Sequence, residues 1–322
     1  MHRIPHLHRP LTISSVFRTI TFSVVLVLSV VAPKAPAATP QAAPTQIVCG
    51  SVPSKILGEP VDYCADLPAD YNSSRRRYPT LYFLHGLFEN YHAWDENGGK
   101  DVLDGLLKQG KIGPFIVILP DGDNTFYVNS YDGQVRYEDF FVQELIPFVD
   151  RRYRTIRDRR ARGISGVSMG GYGALHLAMR HPDIFGSVSA QSAALIPKFP
   201  NPLPTTGRWG FYARVLEKPF GNPLNETYFD ENNPLTLAEH PERFRGLKIY
   251  FDVGIDDRYG FEKGAELLNQ ILDEHKFPHT FVLRQGNHGW SYEQKYLQYS
   301  LIFHWRVFHA YEVAAGSGAQ AP

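Results

Sequence analysis

Ser168 stands in Gly166-Val167-Ser168-Met169-Gly170, with Gly163 before it and Gly171 and Gly173 just beyond. A serine hydroxyl is a weak nucleophile and needs a base to take its proton. The sharp turn that presents such a serine between a strand and a helix leaves no room for side chains two residues before and after it. The spacing therefore makes Ser168 a candidate nucleophile. The helix opening after it would aim its N-terminus, and the backbone N–H of Met169, at the place where an oxyanion develops.

The base and its orienting acid are sought at the ends of later strands. Gly254-Ile-Asp-Asp-Arg258 carries two acids, Asp256 and Asp257, and Gln285-Gly-Asn-His-Gly-Trp290 carries His288 between glycines. An imidazole can take the serine proton while a carboxylate holds it and stabilises its charged form. Either aspartate can serve. The chain has thirteen histidines, but only His288 occupies a glycine-flanked turn after the final strand. His275 and His279 bracket a helix end and a strand start, where capping suffices, and His176 reads as packing on a helix.

These turns need a scaffold. Pro79 to Leu84 and Phe115 to Leu119 are continuous apolar runs suited to strands buried in a parallel sheet, with helical spacing over 101–108 between them. A helix is expected over 136–152, strands before Ser168 and over 185–190, 248–253 and 279–283, a helix over 262–275, and a last helix over about 292–310. Strands alternating with helices predict an α/β fold with a mostly parallel central sheet and helices on both faces. Each polar turn follows a strand's C-terminal end, the edge where ligands bind in open sheets of this kind. Serine, acid, histidine is also the chain order of α/β hydrolases. Residues 195–246 hold eight prolines and no clean periodicity, so they read as a long lid-like excursion within one domain of 38–314. Phe211, Tyr212, Phe220, Tyr228 and Phe229 there can line a cleft or glue the excursion down.

Residues 1–37 read as an export signal: Arg3, Arg9 and Arg18 precede the apolar run Ile20 to Ala32, and Ala35-Pro-Ala-Ala38 offers a cleavage site. That run is short for a bilayer span, so no stable membrane insertion is expected after cleavage. A secreted or periplasmic location follows. Four of the 33 basic residues lie in this leader, which leaves 29 against 33 acidic residues and a formal charge of −4. Such a balance gives no global attraction to nucleic acid, and the seven arginines of 151–162 have no interleaved aromatic platform beyond Tyr153. Cys49 and Cys64, the only cysteines, lie on neighbouring strand-like segments of an N-terminal antiparallel hairpin and are expected to form a disulfide. No His, Cys and carboxylate cluster has metal-site spacing and no glycine loop cradles a phosphate, so neither a metal nor a cofactor is expected. Residues 315–322 read as a disordered tail.

From about Tyr78 to Tyr299 the sequence resembles the esterase D and feruloyl esterase group, which also includes the bacterial mycolyltransferases. The resemblance rests on Phe83-Leu-His-Gly-Leu87 followed by Trp94, on Pro120-Asp-Gly122, Glu144-Leu-Ile-Pro147 and Gly166-Val-Ser-Met-Gly-Gly171, and on Gly254-Ile-Asp-Asp257 and His288-Gly-Trp290. It implies an α/β-hydrolase fold, a triad of Ser168, Asp257 and His288, and an oxyanion hole from the backbone N–H groups of Leu87 and Met169. His85, Trp94 and Trp290, which carry part of the resemblance, are candidate substrate-binding residues. The implied activity is that of a serine carboxylesterase acting on a small-molecule or carbohydrate ester, such as an acetyl or feruloyl ester. An acyltransferase delivering the acyl group to a sugar hydroxyl would use the same constellation. A non-catalytic binding protein on a hydrolase scaffold would not need all three residues. Formylglutathione thioester hydrolysis fits an exported chain poorly.

Overall fold

The structure, a computed structural model, describes residues 43–200 and 203–318. The expected export signal lies outside the described residues. Eight strands build one sheet: β1 (Gln46–Val52), β2 (Val61–Leu67), β3 (Thr80–Leu84), β4 (Ile116–Pro120), β5 (Arg162–Val167), β6 (Ser187–Gln191), β7 (Lys248–Gly254) and β8 (His279–Arg284). Their order is β1-β2-β4-β3-β5-β6-β7-β8. The first two form an antiparallel hairpin in which Cys49 lies opposite Cys64 and is disulfide-bonded to it. β2 runs antiparallel to β4, and every pairing from β4 to β8 is parallel.

Alternation along the buried strands sorts side chains to two faces. From β3, Leu81 and Phe83 join one apolar cluster while Tyr82 and Leu84 join the other. From β4, Val117 and Leu119 part from Ile116 and Ile118 in the same way. The first face is covered by α1 (Ala93–Glu96), α2 (Gly99–Lys108) and α10 (Trp290–Gly318), which supply Trp94, Leu103, Leu297, Leu301 and Phe308. The second is covered by α3 (Tyr137–Phe140), a π-turn over Phe141–Leu145, α4 (Ile146–Arg152), α5 (Met169–Arg180) and α9 (Phe261–Glu274). Each fully buried Leu or Phe contributes about 1.5–3 kcal/mol by leaving water, so both faces are firmly held and the loops at the strand ends rest on a rigid base.

The segment after β6 departs from expectation. It is mostly helical, with α6 (Gly207–Phe220), α7 (Glu226–Asn232) and α8 (Pro234–Ala238). Its prolines punctuate these helices instead of preventing them: Pro234 opens α8, Pro241 opens a 3-10 turn, and Pro219 falls in the last turn of α6. Asn225 and Asn233 cap α7 and α8, their side chains accepting from the N–H groups of Tyr228 and Leu235 at 2.9 and 3.1 Å. The aromatics divide: Phe220 and Phe229 are core, with ring centroids 5.0 Å apart, whereas Phe211 and Tyr212 face a cavity.

Two further expectations change. The last helix runs to Gly318, into the stretch read as a tail, and residues past 318 lie outside the described residues. The arginine-rich approach to β5 is less exposed than its composition suggests: Arg162 is buried and pairs with Asp150 at 2.8 Å, and Arg159 donates to the carbonyl of Phe185. No helix of the described residues is long and apolar enough to cross a membrane.

Candidate active site

β5 ends at Val167, and the chain turns through Ser168 straight into α5. Ser168 has φ 54° and ψ −117°, a conformation that costs a non-glycine residue on the order of 1–3 kcal/mol. Neighbours hold it there: its N–H donates to the carbonyl of Gln191, and its own carbonyl accepts from Tyr172 and Ala194, each at 3.0 Å. The flanking glycines are sterically required. A Cβ on Gly166 would lie 2.2 Å from the carbonyl oxygen of Gly170, and one on Gly170 would lie 2.0 Å from that of Leu84.

The structure brings Ser168, His288 and Asp257 into one line. Ser168 Oγ is 3.0 Å from His288 Nε2, and His288 Nδ1 is 2.8 Å from Asp257 Oδ2. Asp257 is 6% exposed, and its Oδ1 accepts the N–H of Tyr259 at 2.9 Å, which fixes the carboxylate against rotation. Asp256 is exposed, and it is Asp257 that both bonds the turn and meets His288. His275 bonds Glu239, and His279 bonds the carbonyl of Phe277 and Asn269, both remote from Ser168 in their contacts. His176 is fully buried between Glu138 and the carbonyl of Asn232.

Leu87 and Met169 both line the cavity that contains Ser168, which has a volume of about 410 Å³. Trp290 lines it too, its indole N–H donating to Glu89 Oε1 at 2.5 Å. His85 and Trp94 do not reach it, which corrects their assignment as substrate-binding candidates. His85 is buried, accepts the N–H of Gly122 on Nε2 and donates from Nδ1 to the carbonyl of Gly86, each at 2.8 Å. Trp94 is buried beneath the sheet and donates to Asp66 at 3.1 Å. Both shape the loop after β3 from behind.

Several residues that sequence reading passed over surround the triad or brace its loops. Asn287 accepts the N–H groups of Arg258 and His288 on one oxygen, at 2.8 and 2.7 Å, and so ties the acid turn to the histidine turn. Its place between Gly286 and His288 is the one signal the sequence offers. Tyr259 and Phe261 pack edge-on against His288, with ring centroids at 4.7 and 5.5 Å. Two acids brace the loops. Glu89 Oε2 accepts the N–H of Gly86 at 2.8 Å, and Glu293 Oε1 accepts that of Gly289 at 3.3 Å. Burial pushes the Glu293 carboxyl above the usual range, with nearby His288 pulling it partly back.

A parallel sheet with helices on both faces, a strained serine after the central strand and a hydrogen-bonded histidine and aspartate on later loops define an α/β hydrolase. The esterase family model matches residues 54–303, and the chain belongs to that family. An esterase of Mycobacterium tuberculosis is 35% identical over 132 residues, 39% of this chain and 27% of that protein, so this chain matches about a quarter of that relative's length. An acetyl esterase of Caldicellulosiruptor saccharolyticus is 27% identical over 258 residues, covering 76% of this chain and 92% of that one. Among solved structures, a ferulic acid esterase superposes with a TM-score of 0.70 at 28% identity over 82% of this chain and 99% of its own.

Proposed function

We propose that this chain is an exported serine esterase that cleaves carboxylic esters of carbohydrate, acetyl or feruloyl, through an acyl-enzyme on Ser168. The observation that carries the reading is the continuous hydrogen-bonded line from Ser168 through His288 to Asp257, whose serine and histidine line a cavity. The similarity to an acetyl esterase and a ferulic acid esterase supports the choice of acyl group.

Ser168 Oγ attacks the ester carbonyl carbon as its proton passes to His288 Nε2. The oxygen of the tetrahedral intermediate takes hydrogen bonds from the N–H groups of Leu87 and Met169, the latter at the start of α5, where the helix dipole favours negative charge. As the C–O bond breaks, His288 returns the proton to the departing alcohol. Water then enters, gives its proton to the same nitrogen and releases the acid, restoring Ser168. Asp257 keeps the proton of Nδ1 in place throughout and stabilises the imidazolium.

The test is a panel of acetyl, feruloyl and longer-chain esters given to purified enzyme with and without a sugar acceptor. Release of free acid that a sugar acceptor does not divert is expected. Transfer of the acyl group to the acceptor in preference to water would replace the hydrolase reading with that of an acyltransferase.

A further inference from the structure

Ile196, Tyr212, Tyr259 and Phe261 line both the catalytic cavity and a second one of about 250 Å³ beside it. The second cavity is basic. Lys198, Arg208 and Lys263 line it, no acid among the described residues does, and none of the three has an ion-pair partner among them. Exposed cations elsewhere often do: Arg76 pairs with Asp70, Arg160 with Asp158, and Lys218 with Asp123.

The three cations share one cavity near the start of a helix. Arg208 lies over the Trp209 ring, 5.5 Å from its centroid, with Nη1 3.1 Å from the place a Cβ on Gly260 would occupy. Gly260 is the N-cap of α9, and Lys263 lies in the first turn of that helix. Glu262, the acid of that turn, does not line the cavity. An anion seated in this cavity would be attracted by these side chains and by the positive end of the helix dipole.

The wall between the two cavities sets what the anion belongs to. Tyr259 and Phe261 are the rings packed on His288, and in the mechanism above His288 faces the departing oxygen. The second cavity therefore lies toward the alcohol portion of the ester.

We propose that this cavity is a subsite for an anionic group, a carboxylate or phosphate, carried by the sugar on the alcohol side of the substrate. Arg208 and Lys263 bind the group and Lys198 adds long-range attraction. The proposal rests on the esterase reading and narrows it to esters of acidic saccharides.

The experiment compares kcat/KM for an acetylated xylo-oligosaccharide with that for the same compound bearing a glucuronosyl unit and, in a third arm, a phosphate. At low salt an anionic substrate should be preferred by about tenfold, as expected for a few partly exposed charge contacts acting together. The preference should shrink with added salt and approach unity in the Arg208→Gln/Lys263→Gln double variant. The faster of the two anionic arms identifies the group. Equal rates for neutral and anionic substrates, or a preference that survives in the double variant, would overturn the proposal. Hydrolysis of the neutral substrate reports separately on the esterase reading. Should no ester be cleaved, binding of the deacetylated glucuronosyl and phosphorylated oligosaccharides to Ser168→Ala still decides: affinity for either lowered about tenfold by adding Arg208→Gln and Lys263→Gln supports the subsite, and unchanged affinity for both overturns it.

Discussion

Asp257 Oδ2 faces His288 Nδ1 at 2.8 Å while Asp256, one residue earlier, points to solvent. Replacing Asp257 by Asn offers Nδ1 a side chain that can stabilise the wrong tautomer, a change worth about 10⁴-fold in turnover in serine hydrolases. Asp257→Asn should therefore cripple kcat with only a modest change in melting temperature. Asp256→Asn should leave kcat within a few-fold of wild type. Steady-state kinetics on the two variants check this.

The elbow glycines carry a stability prediction. Gly170→Ala would push a methyl to 2.0 Å from the Leu84 carbonyl oxygen, backbone that cannot swing aside. Overpacking of this kind costs about 1–3 kcal/mol or more. Denaturant unfolding of Gly170→Ala should show at least that loss, together with reduced activity, because Leu84 ends β3 immediately before the loop that bears Leu87.

Phe211 and Phe220 separate binding from packing within one helix. Phe220 is fully buried, so Phe220→Ala should cost about 3–5 kcal/mol. Phe211 lines the cavity beside Phe88, with ring centroids 6.3 Å apart. Phe211→Ala should raise KM and leave the melting temperature nearly unchanged. Thermal melts alongside KM measurements distinguish the two.

His304 gives a pH dependence with a definite sign. It is fully buried against Ser187 and Ser189, and burial depresses its pKa to about 3. The unfolded chain binds its proton near pH 6.5, so stability is fully present above that value and falls as pH drops toward 3. Between pH 7 and 5 the loss from this group is about 2 kcal/mol. His304→Gln should be less stable at pH 8 and show a flatter stability profile from pH 7 to 5. An equally steep profile would remove His304 as its cause.

What could be read in the sequence was what local sterics and strand patterning impose. The glycines around Ser168 are demanded by backbone atoms a few residues away, and the runs at Pro79 to Leu84 and Phe115 to Leu119 can lie only in a buried sheet. Spacing could not choose between Asp256 and Asp257, because adjacent side chains differ in direction and only the assembled turns settle which one reaches His288. His85 and Trp94 were misplaced for a physical reason: a residue prominent in a motif can hold the loop that carries the site without touching the ligand. Prolines concealed the helices after β6 because their effect depends on whether they fall at a helix start or its middle. The pairing of Asn287 with the acid turn joins residues 29 apart, and beyond its place between Gly286 and His288 nothing local announces it.

Acylation of Ser168 is the step on which the proposed hydrolysis depends. The most direct measurement treats the purified protein and its Ser168→Ala variant with a fluorophosphonate and locates the adduct by peptide mass mapping, with ester turnover followed in parallel. One adduct on the peptide carrying Ser168, absent from the variant, with turnover lowered on the order of a millionfold, is the predicted result. An adduct on another residue, or a Ser168→Ala variant that keeps most of its turnover, would contradict it.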